Sequence, residues 1–322
     1  MRPVGLAAGV LLLLASGVAE AQPAPTPRIG FLDAGSAAGL GRQVSAFRQG
    51  LRDLGWIEQQ TVAIEYRWAD GHAERLPALA RELVQMKVDL IVTAGTIGIR
   101  AAKEATSTIP IAFIVLVDPV AGGLVQSFSR PGGNLTGLAS QFEDLVTKQP
   151  QLMKEALPGL SRIAILSRVE TPPTFVQPAE AAARGLGLAT RLLVVGDVRE
   201  YEDAFKAARR DRAGAIQVLP SPIFGSQRRV LIDLAAKYRL PAMYEFRDYV
   251  EDGGLMSYGP SIVEMFRGLA SYVDRILKGA RPAEMPITRP ATFELAINLT
   301  TARALGVTIS PDVLGRADAV IK

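Results

Sequence analysis

Cysteine is absent from the 322 residues, and histidine occurs once, as His72. Without cysteine the chain has no disulfide, no thiolate nucleophile, no thiolate-held zinc or iron–sulfur cluster and no cysteine to carry a lipid. With one histidine, a multi-histidine metal site is excluded, as is a Ser-His-Asp triad built on any other histidine. No Gly-x-Gly-x-x-Gly or Gly-x-x-x-x-Gly-Lys-Ser/Thr pattern stands at a strand-to-helix junction, so the usual phosphate cradles are missing. A strong excess of one charge is missing too. The 36 basic residues nearly match the 32 acidic ones and leave a net +4. The basic residues are scattered, grouped only in short pairs such as Arg209-Arg210 and Arg228-Arg229. No stripe marks a nucleic-acid interface, and no nucleic-acid partner is expected. What is present is apolar: 48% hydrophobic residues against 21% charged, the composition of a folded globular protein. The length suggests about two domains, with cores large enough to need no covalent staple.

The first residues read as a targeting segment. Met1-Arg2-Pro3 gives a short positive start, Val4 to Val18 is apolar or small around Leu11–Leu14, and Ala19-Glu20-Ala21 is an Ala-x-Ala cleavage signature. These three parts describe a secretory signal peptide over residues 1–21, with Gln22 first in the mature chain and the Pro-rich QPAPTP as an extended leader. The run is short for a membrane span, which needs about 20 apolar residues, and no later segment reaches such a length uncharged. An uncleaved anchor is the alternative. An exported, soluble, cysteine-free chain points to a periplasm.

From Arg28 onward, short apolar runs alternate with amphipathic stretches of helical length. Strand patterns at 28–34, 61–69, 89–95 and 109–117 are separated by helical patterns at 41–56, 73–88 and 96–106. That is βαβαβαβ, the signature of a parallel sheet covered on both faces. A stretch rich in Gly, Pro and Ser over 118–140 interrupts it, with a short strand near 135–140. The alternation resumes with strands at 161–167, 189–195, 214–220 and 240–245 and helices at 145–157, 173–186, 200–210 and 225–238. A further strand at 254–260, a long helix at 261–278 and a strand at 293–298 follow. Two α/β units in tandem place a ligand at the carboxyl ends of their parallel strands, and both sets of ends can face one interdomain cleft.

Several stretches carry a resemblance: RIGFLDAGS, GLRDLGW, DLIVTAGT, DPVAGGLVQSFSRPGGNLTG and FELAINLTTARALGVTISPDVLGRAD. Over about residues 28–321 the chain resembles the periplasmic substrate-binding components of ABC transporters, in particular the subgroup that includes tryptophan-binding proteins. The resemblance implies an α/β type I periplasmic-binding fold, with two Rossmann-like lobes, three hinge crossings and an interdomain cleft. It implies a first lobe of 28–140 plus 261–280 and a second of 141–257 plus 283–322. The third crossing would be ARPAEMPITRP, whose prolines forbid a continued helix.

The candidate ligand-binding residues sit at the expected strand ends. Ser36 follows the first strand in DAGS and offers a hydroxyl at a strand-to-helix turn; a plain cap is the alternative. Thr93, Gly95 and Thr96 end the third strand, Gly95 permitting close backbone approach and Thr96 able to cap the next helix. Asp118 precedes Pro119 and either pairs with a ligand ammonium or pins its own loop. In the second unit the matching positions are Ser167, Ser221, Tyr244, Glu245, Ser257 and Tyr258, an aromatic wall with one carboxylate that suits a small zwitterion or an apolar ring. Core packing explains the two tyrosines equally well, and Glu245 has Arg247 as an alternative partner. His72 lies in a loop before the second helix and has no partner that would make it a catalyst.

The expected function is that of a non-catalytic, exported receptor that closes on a small molecule and presents it to a membrane permease, with amino acids or related carboxylates favoured through the resemblance. It is expected to be a monomer and to need no cofactor or metal. A sensory receptor serving a kinase or chemoreceptor would share the fold. A periplasmic Rossmann-like enzyme is disfavoured by the missing cysteine, the single histidine and the absent nucleotide motif.

Overall fold

The computed structural model describes residues 26–140, 142–290 and 293–322. The segment read as a signal peptide lies outside the described residues. Five strands form the first sheet: β1 (Arg28–Asp33), β2 (Ala63–Trp68), β3 (Leu90–Ala94), β4 (Ile111–Val115) and β5 (Leu135–Ala139). Their order is β2-β1-β3-β4-β5, every pair parallel. β3 and β4 are buried at every position, which is why LIVTA and IAFIV read as continuous apolar runs. β2 is the edge strand and only half-buried throughout, which explains its mixed sequence AIEYRW. The crossovers carry helices α1 (Gly41–Asp53), α2 (Leu76–Gln85) and α3 (Gly95–Ala105).

The chain then enters a second lobe through α4 (Glu143–Ala156), followed by β6 (Arg162–Arg168), α5 (Pro173–Gly185), β7 (Ala189–Val195), α6 (Tyr201–Arg210) and β8 (Ala215–Val218). Two short helices come next, α7 (Pro222–Ser226) running almost directly into α8 (Arg228–Lys237), then β9 (Ala242–Tyr244), α9 (Arg247–Glu251) and β10 (Met256–Pro260). Helix α10 (Ile262–Leu277) returns to the first lobe. Its buried Phe266, Leu269 and Val273 join Phe31 and Phe47 in one cluster beneath the first sheet. The tail supplies β11 (Phe293–Asn298), α11 (Leu299–Leu305), α12 (Pro311–Gly315) and β12 (Ala319–Ile321) to the second lobe. That sheet has the order β12-β11-β10-β9-β8-β6-β7, and β10–β11 is its one antiparallel pair among the named strands.

The Pro-rich stretch between α10 and β11 does more than cross between lobes. The Met285 carbonyl accepts from Thr136 Oγ1 at 2.8 Å, Ala139 N–H donates to the Thr288 carbonyl at 3.0 Å, and Thr288 N–H donates to the Gly137 carbonyl at 3.2 Å. Leu138 and Thr288 form a parallel bridge. The returning chain therefore lies along β5 and covers that edge of the first sheet, a position where unpaired backbone groups would otherwise stand open.

Candidate functional site

The carboxyl ends of β1, β3 and β4 in the first lobe face those of β6, β8 and β9 in the second. The space between them is about 840 Å³ including its open mouth. Its first-lobe wall holds Asp33 at the end of β1, Gln43 on α1, Ala94–Ile97 where β3 becomes α3, and Phe266 on α10. Its second-lobe wall holds Thr171 and Phe175 after β6, Ser221 and Pro222 after β8, and Phe246 after β9. The lining is mainly apolar, with polar side chains on both walls: Asp33, Gln43 and Thr96 from the first lobe and Glu170, Thr171 and Ser221 from the second.

Two of those polar groups are acceptors in need of donors. Asp33 is 1% exposed, and its Oδ1 accepts from Gly35 N–H at 2.7 Å. Burial outweighs that bond and pushes the carboxyl up to about 7. Gln43 is also buried. Its Nε2 donates to Asp248 Oδ2 across the lobe boundary at 2.7 Å, while its Oε1 has no donor. Arg42 reaches the same side of the second lobe, donating to Asp252 Oδ1 at 2.7 Å. Burial raises Asp248 as well, with the Arg228 and Arg42 guanidinium groups pulling the other way.

The third polar feature is a helix start. The N-cap of α3 is Ala94, which has no side chain able to cap, and Gly95 takes a left-handed φ of 75°. The first turn of an eleven-residue helix therefore presents N–H groups at Gly95, Thr96 and Ile97, all three on the cleft wall. This corrects the expectation that Thr96 caps the helix. β3 runs straight into α3, so Thr96 lies inside the first turn. Among the described residues no group of His, Cys, Asp and Glu is arranged to hold a metal ion.

Of the residues singled out from the sequence, Gly95, Thr96 and Ser221 line the cleft, Ser221 also capping α7 by accepting from Ile223 N–H at 3.2 Å. The others stand elsewhere. Ser36 Oγ accepts from Gly39 N–H within its own turn. Thr93 is buried against Gly98 beneath α3. Asp118 Oδ1 accepts from the N–H groups of Val120 and Ala121 and organises its loop. Ser167 Oγ donates to the Arg168 carbonyl. Tyr244 is fully buried and stacked on Tyr249 with ring centroids 4.5 Å apart. Glu245 lies beside that stack, accepting from Tyr249 Oη at 3.2 Å, and burial raises its carboxyl to about 8. Ser257 is buried on β10. The Tyr258 carbonyl accepts from Gln149, and its half-buried side chain packs on the lobe core. His72 sits 3.2 Å from Glu74 on the surface. Asp33, Gln43 and Phe246 went unnoticed in the sequence. For Asp33 a signal existed: it is the one charge closing the buried run IGFL at a carboxyl edge.

The family model for ABC transporter substrate binding proteins matches residues 30–321, nearly all of the described chain. The chain belongs to this family. Among relatives of this substrate-binding protein is a tyrosine-binding protein of Clostridioides difficile, 24% identical over 269 residues that span 83% of this chain and 77% of the relative. Among solved structures, the ABC domain from Streptococcus pneumonia in complex with L-Trp superposes with a TM-score of 0.81 at 24% identity, covering 92% of this chain and all of that one. A conserved domain protein from Vibrio cholerae gives 0.83 at 26% identity, covering 92% and 99%. The fold is the type I periplasmic-binding fold, and the family is one of binding proteins rather than enzymes.

Proposed function

We propose that this substrate-binding protein is the exported receptor of an ABC importer and that it captures an α-amino acid with a large apolar, aromatic side chain in the interlobe cleft. The observation that carries the reading is the cleft's chemical polarity. Asp33 and Gln43 Oε1 are buried acceptors that an ammonium group would satisfy. The open first turn of α3 offers N–H donors and a positive dipole end to a carboxylate. Phe175, Phe246 and Phe266 stand on the walls around them, where an aromatic side chain would gain both buried area and ring contacts. A sugar would leave Asp33 without a cation. The tyrosine- and tryptophan-associated relatives support the same ligand class.

A thermal-shift and calorimetry panel of L-tryptophan, L-tyrosine, L-phenylalanine, a neutral sugar and a purine tests it. An amino acid present at about 100 times its Kd should add about 2.7 kcal/mol of stability. Binding of the sugar or purine with none of the amino acids would overturn the ligand class. In this reading the receptor works as a monomer, closes by hinge motion and hands its ligand to a membrane permease. Export makes its own prediction. Protein released by osmotic shock should have the mass of a chain starting at Gln22, and a mass that retains residues 1–21 would contradict secretion by cleavage.

A further inference from the structure

Closure of the two lobes needs a surface on which they meet, and the structure shows an unusual one. Four glycines of the first lobe lie against helix α7 and the residue after it. A Cβ added at Gly39 would stand 2.3 Å from the Ser226 carbonyl oxygen and 2.5 Å from Ser226 Cα. One at Gly35 would stand 2.7 Å from Ser226 Cβ, one at Gly71 2.8 Å from Gln227 Nε2, and one at Gly95 2.4 Å from Pro222 Cγ. All of these are closer than real Cβ contacts. At Gly35, Gly39 and Gly95 the atoms met are a Cβ, backbone and a proline ring that cannot swing aside, so the second lobe fits there only because side chains are missing. At Gly71 the atom met is the far end of Gln227. Gly71 and Gly95 have left-handed φ values of 87° and 75° and would be glycine for that reason alone. Gly35 and Gly39 are not in that region, so their own backbone does not demand glycine. At Gly35 a Cβ would also crowd Leu40 of its own lobe. At Gly39 the three nearest atoms all belong to Ser226, two of them backbone. Nothing in the first lobe explains the absence of a side chain there; the opposite lobe does.

The same contact is fastened by directed bonds. Arg228 Nη1 donates to the Gly39 carbonyl, and Arg228 Nε to Asp252 Oδ2 at 2.7 Å. Gln227, whose amide lies over Gly71, is held from behind by Tyr201 Oη, which donates to its Oε1 at 2.7 Å. α7 also forms part of the cleft wall through Pro222 and Gly225. A single short helix thus touches both the ligand space and the lobe boundary.

We propose that α7 is the closure tooth of this protein and that Gly35, Gly39, Gly71 and Gly95 form its socket, with Gly39 the position that sets whether the lobes can seat fully. The inference rests on the reading of the cleft as a site that opens and closes around a ligand. A methyl at residue 39 would cost nothing in an open form, where Ser226 is withdrawn, and would be excluded from the closed one, so it shifts the equilibrium toward open and reduces affinity by the same factor.

The test uses Gly39→Ala, with Gly41→Ala as control, because a Cβ at Gly41 meets nothing within 4 Å. The chain has no cysteine of its own, so cysteines placed at His72 and Asp197 give a clean pair for a short bis-maleimide. These two positions lie on opposite lobes, near enough that His72 adds slightly to the lowering of the Asp197 carboxyl, which its hydrogen bonds with Arg199 dominate. The crosslinking rate in ligand-free protein reads every transient closure. It is expected to fall tenfold or more in Gly39→Ala and to stay within twofold in Gly41→Ala, with far-UV circular dichroism unchanged in both. L-tryptophan and L-tyrosine are then titrated. Tenfold weaker binding of either by Gly39→Ala alone supports the socket. Failure of both to bind the unmutated protein overturns the ligand class while the ligand-free rates still judge the socket. Crosslinking of Gly39→Ala at the unmutated rate, or no crosslinking of the unmutated pair, overturns the socket.

Discussion

Replacing Asp33 with Asn is expected to weaken amino-acid binding by about thirtyfold or more, since removing one partner of a buried charge pair costs roughly 2 kcal/mol or above. Asn keeps the size of the side chain and the acceptor for Gly35 N–H, so the loss isolates the charge. The pH dependence gives a sharper signature. Burial holds the Asp33 carboxyl up at about 7, and a bound ammonium would draw it down. Binding below that value must therefore expel a proton. Affinity should rise between pH 5 and pH 8 in the unmutated protein, by up to about tenfold per unit below 7, and should be flat in Asp33→Asn. Calorimetry in two buffers of different ionisation enthalpy counts the proton directly. Equal pH profiles for the two proteins would remove Asp33 from the site.

Glu245→Gln should flatten the alkaline loss of stability. Glu245 is fully buried, and burial lifts its carboxyl from 4.5 to about 8 against the favourable bonds from its own backbone and Tyr249. A folded-state value above the unfolded one means the folded protein holds a proton that the unfolded chain releases. The associated stability is fully present below about pH 4 and is lost as pH climbs through about 8. The shift corresponds to about 5 kcal/mol as an upper bound. Asp33 contributes in the same direction up to about 7, so the comparison has to be made between variants at each pH. The gap between urea midpoints at pH 6 and pH 9 should be clearly smaller in Glu245→Gln than in the unmutated protein, the remainder coming from Asp33. The same separation in both would mean that Glu245 is not the group responsible.

The contrast between Asp33 and Glu245 shows what the sequence discloses about such a site. Parallel strands buried on both faces announce themselves as apolar runs, and the helices between them by their spacing, so the βα alternation was legible almost throughout. Four small elements were not. α7, α9, α12 and β12 are five, five, five and three residues long, too short for any period to emerge. The antiparallel pairing of β10 with β11 was hidden too, because a strand's direction leaves no mark on its composition. The site was legible to within a few residues and no further. Successive side chains of a strand point to opposite faces, so a shift of one or two positions decides between cleft and core. At the end of β9 the cleft position belongs to Phe246, while Tyr244 and Glu245 face inward. After β1 it belongs to Asp33 rather than Ser36. That choice depends on where each strand stops, which capping and packing determine together.

The strand that runs from Met285 to Thr288 along β5, and the helix α10 before it, have a consequence for how the molecule is made. The first lobe's sheet is complete in sequence by Ala139, yet Phe31, Phe47 and Leu51 stay uncovered until α10 has been synthesised more than a hundred residues later. The second lobe in turn waits for β11 and β12 at the very end of the chain. The first lobe is completed only by residues up to Thr288 and the second only by residues up to Ile321, so both finish late in translation. Docking α10 closes a loop of well over a hundred residues, an entropic demand that slows the final step. The nascent chain therefore stays incompletely folded for most of its synthesis.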